Sequence, residues 1–305
     1  MKLRHVISVK QFLDNKLLDT IFSLADEMAK KDKEKRLPNS LKGKILASVF
    51  YEPSTRTRFS FESAMLKLGG RVISSENAGQ FSSATKGETL EDAIRIISGY
   101  SDVIVLRHPE EGAAKRASNV SSVAIINAGD GGNEHPTQAL LDLYTIKKEL
   151  GRAEGLHVAF GCDPLHSRTI RSLALLLTQY RGLRFTFISP KSLRISPRLL
   201  STLRARGVHC EETTDLRKGT DADIVYLNRL QEERFSNAKE FEKYRKSYVL
   251  RKEMLHRKDI LIMDPLPRVD EISPEVDSDP RAAYFRQAKN GLYIRMALLK
   301  LIFQN

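Results

Sequence analysis

The chain has 305 residues, enough for two domains with substantial cores, and its 50 Lys and Arg against 38 Asp and Glu give a net charge of +12 that favours anionic partners. With no Trp, no low-complexity basic tail and no aromatic ladder among the basic residues, nucleic acid is disfavoured as the primary ligand, and small acidic metabolites gain weight. No apolar run approaches the roughly 20 residues of a membrane span, and two cysteines, Cys162 and Cys210, make neither a disulfide framework nor a paired metal knuckle.

The opening stretch MKLRHVISVKQFLDNK has no signal-peptide core, so a reducing, cytoplasmic setting is expected. A helix is predicted over 9–30 and a buried strand over 45–51, stopped by Pro53. The next helix is predicted over 58–68: Phe61, Ala64, Met65 and Leu68 share one face, and Gly69-Gly70 can end it. At its start stand Ser54, Thr55, Arg56, Thr57 and Arg58. Helix starts expose unpaired N–H groups and the positive end of the macrodipole, so hydroxyls and guanidinium groups added there suit a phosphate dianion. The plainer alternative is a Ser54 or Thr55 cap with both Arg side chains in solvent.

Further along, strands are predicted over 72–74, 103–106 and 123–126, with helices over 88–98 and 136–150. Arg107 ends the 103–106 strand. After 123–126 comes NAGDGGNEHPTQALLDLY, where Pro136 suits a first helical turn and His135 and Gln138 sit at the helix start. His135 alone also reads as a capping or core histidine. A second series has strands over 156–160, 185–188, 208–210, 224–227 and 260–263, and helices over 169–180, 197–205, 236–254 and 282–303. The alternation implies parallel sheets flanked by helices, an α/β fold in two domains, 1–150 and 151–281, with the helix 282–305 packing back on the first. Ligands gather at the carboxyl ends of parallel strands. In the second domain those ends carry Arg168 and Thr169, then NRLQ with Arg229 and Gln231, then DPLPR with Pro265 and Leu266. There is no G-x-x-x-x-G-K-[ST], no G-x-G-x-x-G and no G-x-S-x-G, and the His spacing suits no zinc site. What remains is a site rich in cations and donors, suited to acyl or phosphoryl chemistry driven by positioning and electrostatics.

The segments FYEPSTRTRFSFE, KGETLEDA, VIVLRHPEEGAA, NAGDGGNEHPTQALLDLYTI, RLQEER, DPLPRVDEI and IRMALLKL, in this order, resemble the aspartate/ornithine carbamoyltransferase superfamily, and most closely its aspartate-specific catalytic chains. The resemblance implies transfer of a carbamoyl group from carbamoyl phosphate to L-aspartate, in de novo pyrimidine biosynthesis, with domain closure and with no metal or organic cofactor. It assigns Ser54, Thr55, Arg56, Thr57 and Arg107 to the phosphate, Thr57, Arg107 and His135 to the carbamoyl oxygen, and Gln138 to the carbamoyl amide. Arg168, Arg229 and Gln231, with Thr169 nearby, would hold the carboxylates of aspartate, and the carbonyls of Pro265 and Leu266 would accept from amino groups. Ser82 and Lys86 match residues inserted into a neighbouring subunit's site, Lys86 toward aspartate, which implies a homotrimer with shared sites. Some members also assemble with zinc-containing regulatory chains; neither nucleic acid nor membrane is an expected partner. Ornithine is the competing substrate, but its cationic side chain would be repelled by Arg229. A non-enzymatic basic binding protein would explain the charge but not the ordered motifs. Two positions depart from the family pattern: Asp264 replaces the usual His, an added negative charge expected to pair with a nearby Arg, and Leu165-His166 replaces a Lys-Tyr pair.

Overall fold

The computed structural model describes residues 3–78, 87–232, 235 and 237–304. The chain divides into two compact units, Met1–Leu141 with Lys289–Asn305, and Asp142–Ala288. Each is built on its own parallel sheet.

In the first unit, β1 (Ile45–Phe50), β2 (Arg71–Glu76), β3 (Val103–His108) and β4 (Ala124–Asp130) lie in the order β2-β1-β3-β4, all parallel. β1, β3 and β4 are near-continuous buried runs, as expected of strands covered on both faces, whereas the edge strand β2 is largely exposed. The helices are α1 (Asn15–Lys33), α2 (Thr55–Lys67), α3 (Leu90–Ser98) and α4 (Ala113–Val120). Asp14 caps α1 by accepting from Lys16 N at 2.9 Å, and Leu17, Leu18, Ile21, Phe22, Ala25 and Met28 form its buried stripe. The predicted helix over 9–30 is therefore two pieces. A 3₁₀ turn, Val9–Phe12, closed by a capping box from Ser8 and Gln11, precedes α1. Ahead of that turn, Val6 pairs with β4, donating to Ile125 O at 2.8 Å and accepting from Asn127 N at 2.7 Å.

In the second unit, β5 (His157–Gly161), β6 (Arg184–Ile188), β7 (His209–Thr213), β8 (Ile224–Leu227) and β9 (Leu261–Met263) are parallel, in the order β7-β6-β5-β8-β9. Phe160 at its centre packs on Phe185, Phe187 and Tyr226 at ring-centroid distances of 5.3, 5.5 and 5.9 Å. Gly161 ends β5 because a Cβ there would lie 2.4 Å from Leu227 Cδ2.

Two long helices carry the chain from one unit to the other: α5 (Pro136–Leu150) contains the Leu141/Asp142 boundary. The last helix crosses at Ala288/Lys289. Between them in sequence lie α6 (Arg168–Leu177), α7 (Pro197–Ala205) and α8 (Ala238–Ser247), and the last helix is α9 (Tyr284–Phe303). Among the described residues, no helix is long and apolar enough to cross a membrane.

Candidate active site

Both strand orders reverse direction once, between β1 and β3 in the first sheet and between β5 and β8 in the second. At such a reversal the two following loops run to opposite faces and open a crevice outside the strand ends. The described residues singled out above follow the carboxyl ends of strands in each unit, some beside these reversals and others after β4 and β9.

In the first unit, Phe50 is in register with Arg107 across β1 and β3. Four residues after β1 the chain enters α2, three residues earlier than predicted, so Arg56 and Thr57 lie inside its first turn. Ser54 is the N-cap, yet its side chain makes no capping hydrogen bond. Asp14, Thr89, Ser167, Ser196 and Asn237, which begin α1, α3, α6, α7 and α8, each accept from the first turn. The α2 hydroxyl is thus not spent on the helix, and the plainer capping alternative for Ser54 does not hold. Thr57 is buried, Ser54 half-buried, and Thr55 and Arg56 exposed. The neighbouring Arg58 turns instead to β2, pairing with Glu76 at 2.9 Å and donating to Ser74 Oγ at 3.3 Å. Arg107 donates to Ala128 O at 3.3 Å and lies 3.4 Å from Glu52.

The loop after β4 is organised by two carboxylates that motif reading passed over. Asp130 accepts from Gly112 N at 3.0 Å, Asn127 Nδ2 at 3.1 Å, Glu134 N at 3.2 Å and Asn133 Nδ2 at 3.3 Å. Glu134 accepts from Ser8 Oγ at 2.9 Å and Val9 N at 2.7 Å, tying the N-terminal segment to the residue before His135. His135 and Gln138 are buried, 4% and 8% exposed, and His135 O accepts from Gln138 N and Ala139 N as α5 begins. The signal was present in the acidic residues interleaved with glycine in NAGDGGNEH, which a solvent loop does not need.

In the second unit, Ser167 caps α6 by accepting from Ile170 N at 3.2 Å and lies 3.0 Å from Thr169 Oγ1, leaving Arg168 and Thr169 half-buried after β5. Arg229 and Gln231, also half-buried, follow β8. Asn228 joins the two loops, accepting from Asp163 N at 3.4 Å and donating to Arg229 O at 3.1 Å. After β9 the turn Asp264–Arg268 contains a cis Leu266–Pro267 bond, and Leu266 has φ 54°. Leu266 N donates to Asp264 Oδ1 at 2.6 Å. A cavity of about 90 Å³ beside this turn is lined by Arg229, Arg245, Tyr248 and Glu271, among others.

Among the described residues, Asp264 pairs with no arginine. Arg268, the nearest in sequence, is held by Asp277 and by the Tyr284 hydroxyl, and Asp264 interacts instead with the carboxyl of Glu271. Its backbone N–H donates to Gln287 Oε1 at 3.0 Å, Gln287 Nε2 donates to Asp142 Oδ1 at 2.6 Å, and Tyr226 OH donates to Asp142 Oδ2 at 2.9 Å. His166, at the second departure, pairs with the buried Asp163 at 3.1 Å. Ser82 and Lys86 lie outside the described residues.

Two family profiles cover the chain. Residues 4–148 match the aspartate/ornithine carbamoyltransferase carbamoyl-P binding domain, and residues 154–302 match the Asp/Orn binding domain of the same family. The chain belongs to the aspartate/ornithine carbamoyltransferase family. Among carbamoyltransferase relatives, the chloroplastic aspartate carbamoyltransferase of Arabidopsis thaliana is 51% identical, covering 99% of this chain and 78% of that protein. The aspartate carbamoyltransferase catalytic subunit of Methanocaldococcus jannaschii is 47% identical, covering 99% of both. A solved M. jannaschii catalytic subunit aligns with a TM-score of 0.92 at 47% identity, over 98% of each chain. The Trypanosoma cruzi aspartate transcarbamoylase in complex with N-(phosphonacetyl)-L-aspartic acid aligns at 0.93 and 37% identity, over 99% of this chain and 97% of that one.

Proposed function

We propose that this carbamoyltransferase moves the carbamoyl group of carbamoyl phosphate to the α-amino group of L-aspartate, giving N-carbamoyl-L-aspartate and phosphate, a step of pyrimidine biosynthesis. The observation that carries the choice of acceptor is the pair of guanidinium-bearing loops flanking the reversal of the second sheet, Arg168 after β5 and Arg229 after β8. Two fixed cations match a substrate with two carboxylates and repel one with an ammonium side chain.

In the first unit, the open start of α2 with Ser54, Thr55, Arg56, Thr57 and Arg107 receives the phosphate of carbamoyl phosphate. Thr57, Arg107 and His135 donate to the carbamoyl oxygen, and Gln138 meets the amide. In the second unit, Arg168, Arg229 and Gln231 hold the carboxylates, Thr169 lies beside them, and the carbonyls of Pro265 and Leu266 accept from amino groups. The neutral amine attacks the carbamoyl carbon, negative charge grows on the carbonyl oxygen, and the donors there stabilise it. The C–O bond to phosphate then breaks, with Arg56 and the helix start taking up the leaving dianion's charge, and the phosphate accepts the amine proton.

The working assembly in this reading is a homotrimer in which Ser82 and Lys86 of one chain serve the neighbour's site. Exposed Phe59 and Leu66 on α2 and Ile73 on the edge strand β2 support a subunit contact on that side of the first unit. Two free buried thiols, Cys162 and Cys210, support a reducing, cytoplasmic location. The deciding experiment offers aspartate and ornithine in parallel with carbamoyl phosphate. Carbamoyl aspartate is the expected product, and citrulline as the dominant product would overturn the reading.

A further inference from the structure

The turn after β9 is braced by two buried carboxyls that the reaction above does not use. Asp264 is 1% exposed and Glu271 4%. One oxygen of each is committed to the backbone: Asp264 Oδ1 accepts from Leu266 N at 2.6 Å, and Glu271 Oε2 accepts from Val269 N and Asp270 N, both at 3.0 Å. The other two, Asp264 Oδ2 and Glu271 Oε1, are closed to solvent and receive no N–H donor. The two side chains face each other, each carboxyl shifting the titration of the other. Ionised carboxylates offer only acceptors, so two buried oxygens left without donors side by side are satisfied by a proton on one of them.

The neighbouring cations do not replace that proton. Arg268 favours the ionised form of Asp264 but is itself bound by Asp277 and the Tyr284 hydroxyl, and Arg245 is bound by Asp270 and Glu242. The other titratable groups facing the pair are Cys162 after β5 and Tyr226 on β8, with Asp163 and Asp142 beside them. Burial pushes the thiol and the phenol far up, so both stay neutral. Glu271 also forms part of the wall of the cavity that Arg229 lines.

We propose that Asp264 and Glu271 share a single proton and act as a positioning pair for the substrate-facing turn. Singly protonated, they hold Pro265 and Leu266 in shape and keep a second negative charge out of the wall beside Arg229. The positioning role rests on the aspartate-site reading above; the shared proton does not. Desolvation pushes both carboxyls above their usual range. The sign follows: the brace is intact at low pH, and rising pH removes the shared proton, sets two anions face to face and weakens binding of a dicarboxylate.

Asp264→Asn separates the two ideas, because the amide oxygen still accepts from Leu266 N while its NH₂ donates to Glu271 at every pH. The first readout is the infrared carbonyl stretch of a protonated carboxyl, present at neutral pH in the wild type, shifted in D₂O and lost in Asp264→Asn. Its absence from the wild type would overturn the proposal whatever the activity. The second is calorimetric binding of succinate, a dicarboxylate with no amine to titrate, with carbamoyl phosphate present. As pH rises above neutrality the wild type should weaken about tenfold, as a like charge entering the wall requires, and Asp264→Asn by less than about twofold. Parallel weakening in both would overturn the positioning role. Glu271→Gln supplies the same comparison if the Asn variant does not fold. A protonated-carboxyl band in a protein that makes citrulline rather than carbamoyl aspartate would instead overturn the substrate assignment and leave the shared proton standing.

Discussion

Arg56 and Arg58 look interchangeable in STRTR, and so do Arg168 and Arg171 in HSRTIRS. At the first pair the fold separates them: Arg58 is held by Glu76 on the edge strand, while Arg56 sits in the first turn of a helix whose cap hydroxyl is unused. The placement of His135 and Gln138 at a helix start was legible because the motif that carries them is contiguous, with Pro136 fixing that start. The Asp264–Glu271 contact was not, because only folding shows which carboxyl meets which across two intervening prolines, and charge counting alone suggested an arginine partner. Arg229 gives the residue-scale test of the acceptor site. Losing a charge-assisted hydrogen bond worth about 1.5 to 3 kcal/mol should raise the aspartate KM of Arg229→Ala by roughly 10- to 100-fold. Carbamoyl phosphate binding, followed by calorimetry, should stay near the wild-type value, and equal loss of both affinities would move Arg229 out of the aspartate site.

Among the elements, the segment from Ser8 to His135 shows how a remote strand end is held. Glu134 binds Ser8 Oγ and Val9 N, so the N-terminal segment and the loop that carries His135 form one piece. Glu134→Ala leaves a buried N–H without an acceptor, a cost of about 1 to 3 kcal/mol. Its melting temperature should fall by several degrees, about 2 to 4 °C per kcal/mol for a unit of this size, and turnover should fall more than substrate affinity. Glu134→Gln, which keeps one acceptor, should lie between. Unaltered melting would mean the N-terminal segment does not hold the loop. The sequence pattern recovered the strands and most helices because buried parallel strands and amphipathic stripes leave strong periodic signals. It missed α4, whose AAKRASNV buries only Ala113, Ala114 and Ala117, behind Gly112 in the left-handed region. Such a helix is held by packing on its neighbours, without a stripe of large apolar residues to announce it. The region predicted as one helix over 236–254 contains α8 and a separate 3₁₀ turn, Lys252–Met254, because Tyr248 and Leu250 are buried where a continuing helix would turn away.

For the whole molecule, the proposed shared site predicts complementation between two disabled chains. Lys86→Ala and His135→Ala proteins, each nearly inactive, should regain activity when dissociated and reassembled together. In a ring of three with one-way donation, every mixed trimer has one interface joining an unmutated loop to an unmutated receiving site, so about one site in three recovers. Verified mixed trimers without activity would place Lys86 in its own chain's site. The route of the chain has a further consequence, for synthesis. The first unit is finished by Lys289–Asn305, where Leu292, Ile294, Met296, Leu298 and Leu299 of α9 are buried and Lys300 pairs with Glu27 of α1 at 3.3 Å. That segment leaves the ribosome only after all of Asp142–Ala288. At about 5 to 20 residues per second, the second unit has its complete set of strands while the first still lacks its closing helix. The unit that starts first is completed last, so its nascent chain, still without the buried apolar residues of α9, is the stretch that a ribosome-bound holdase has most reason to bind.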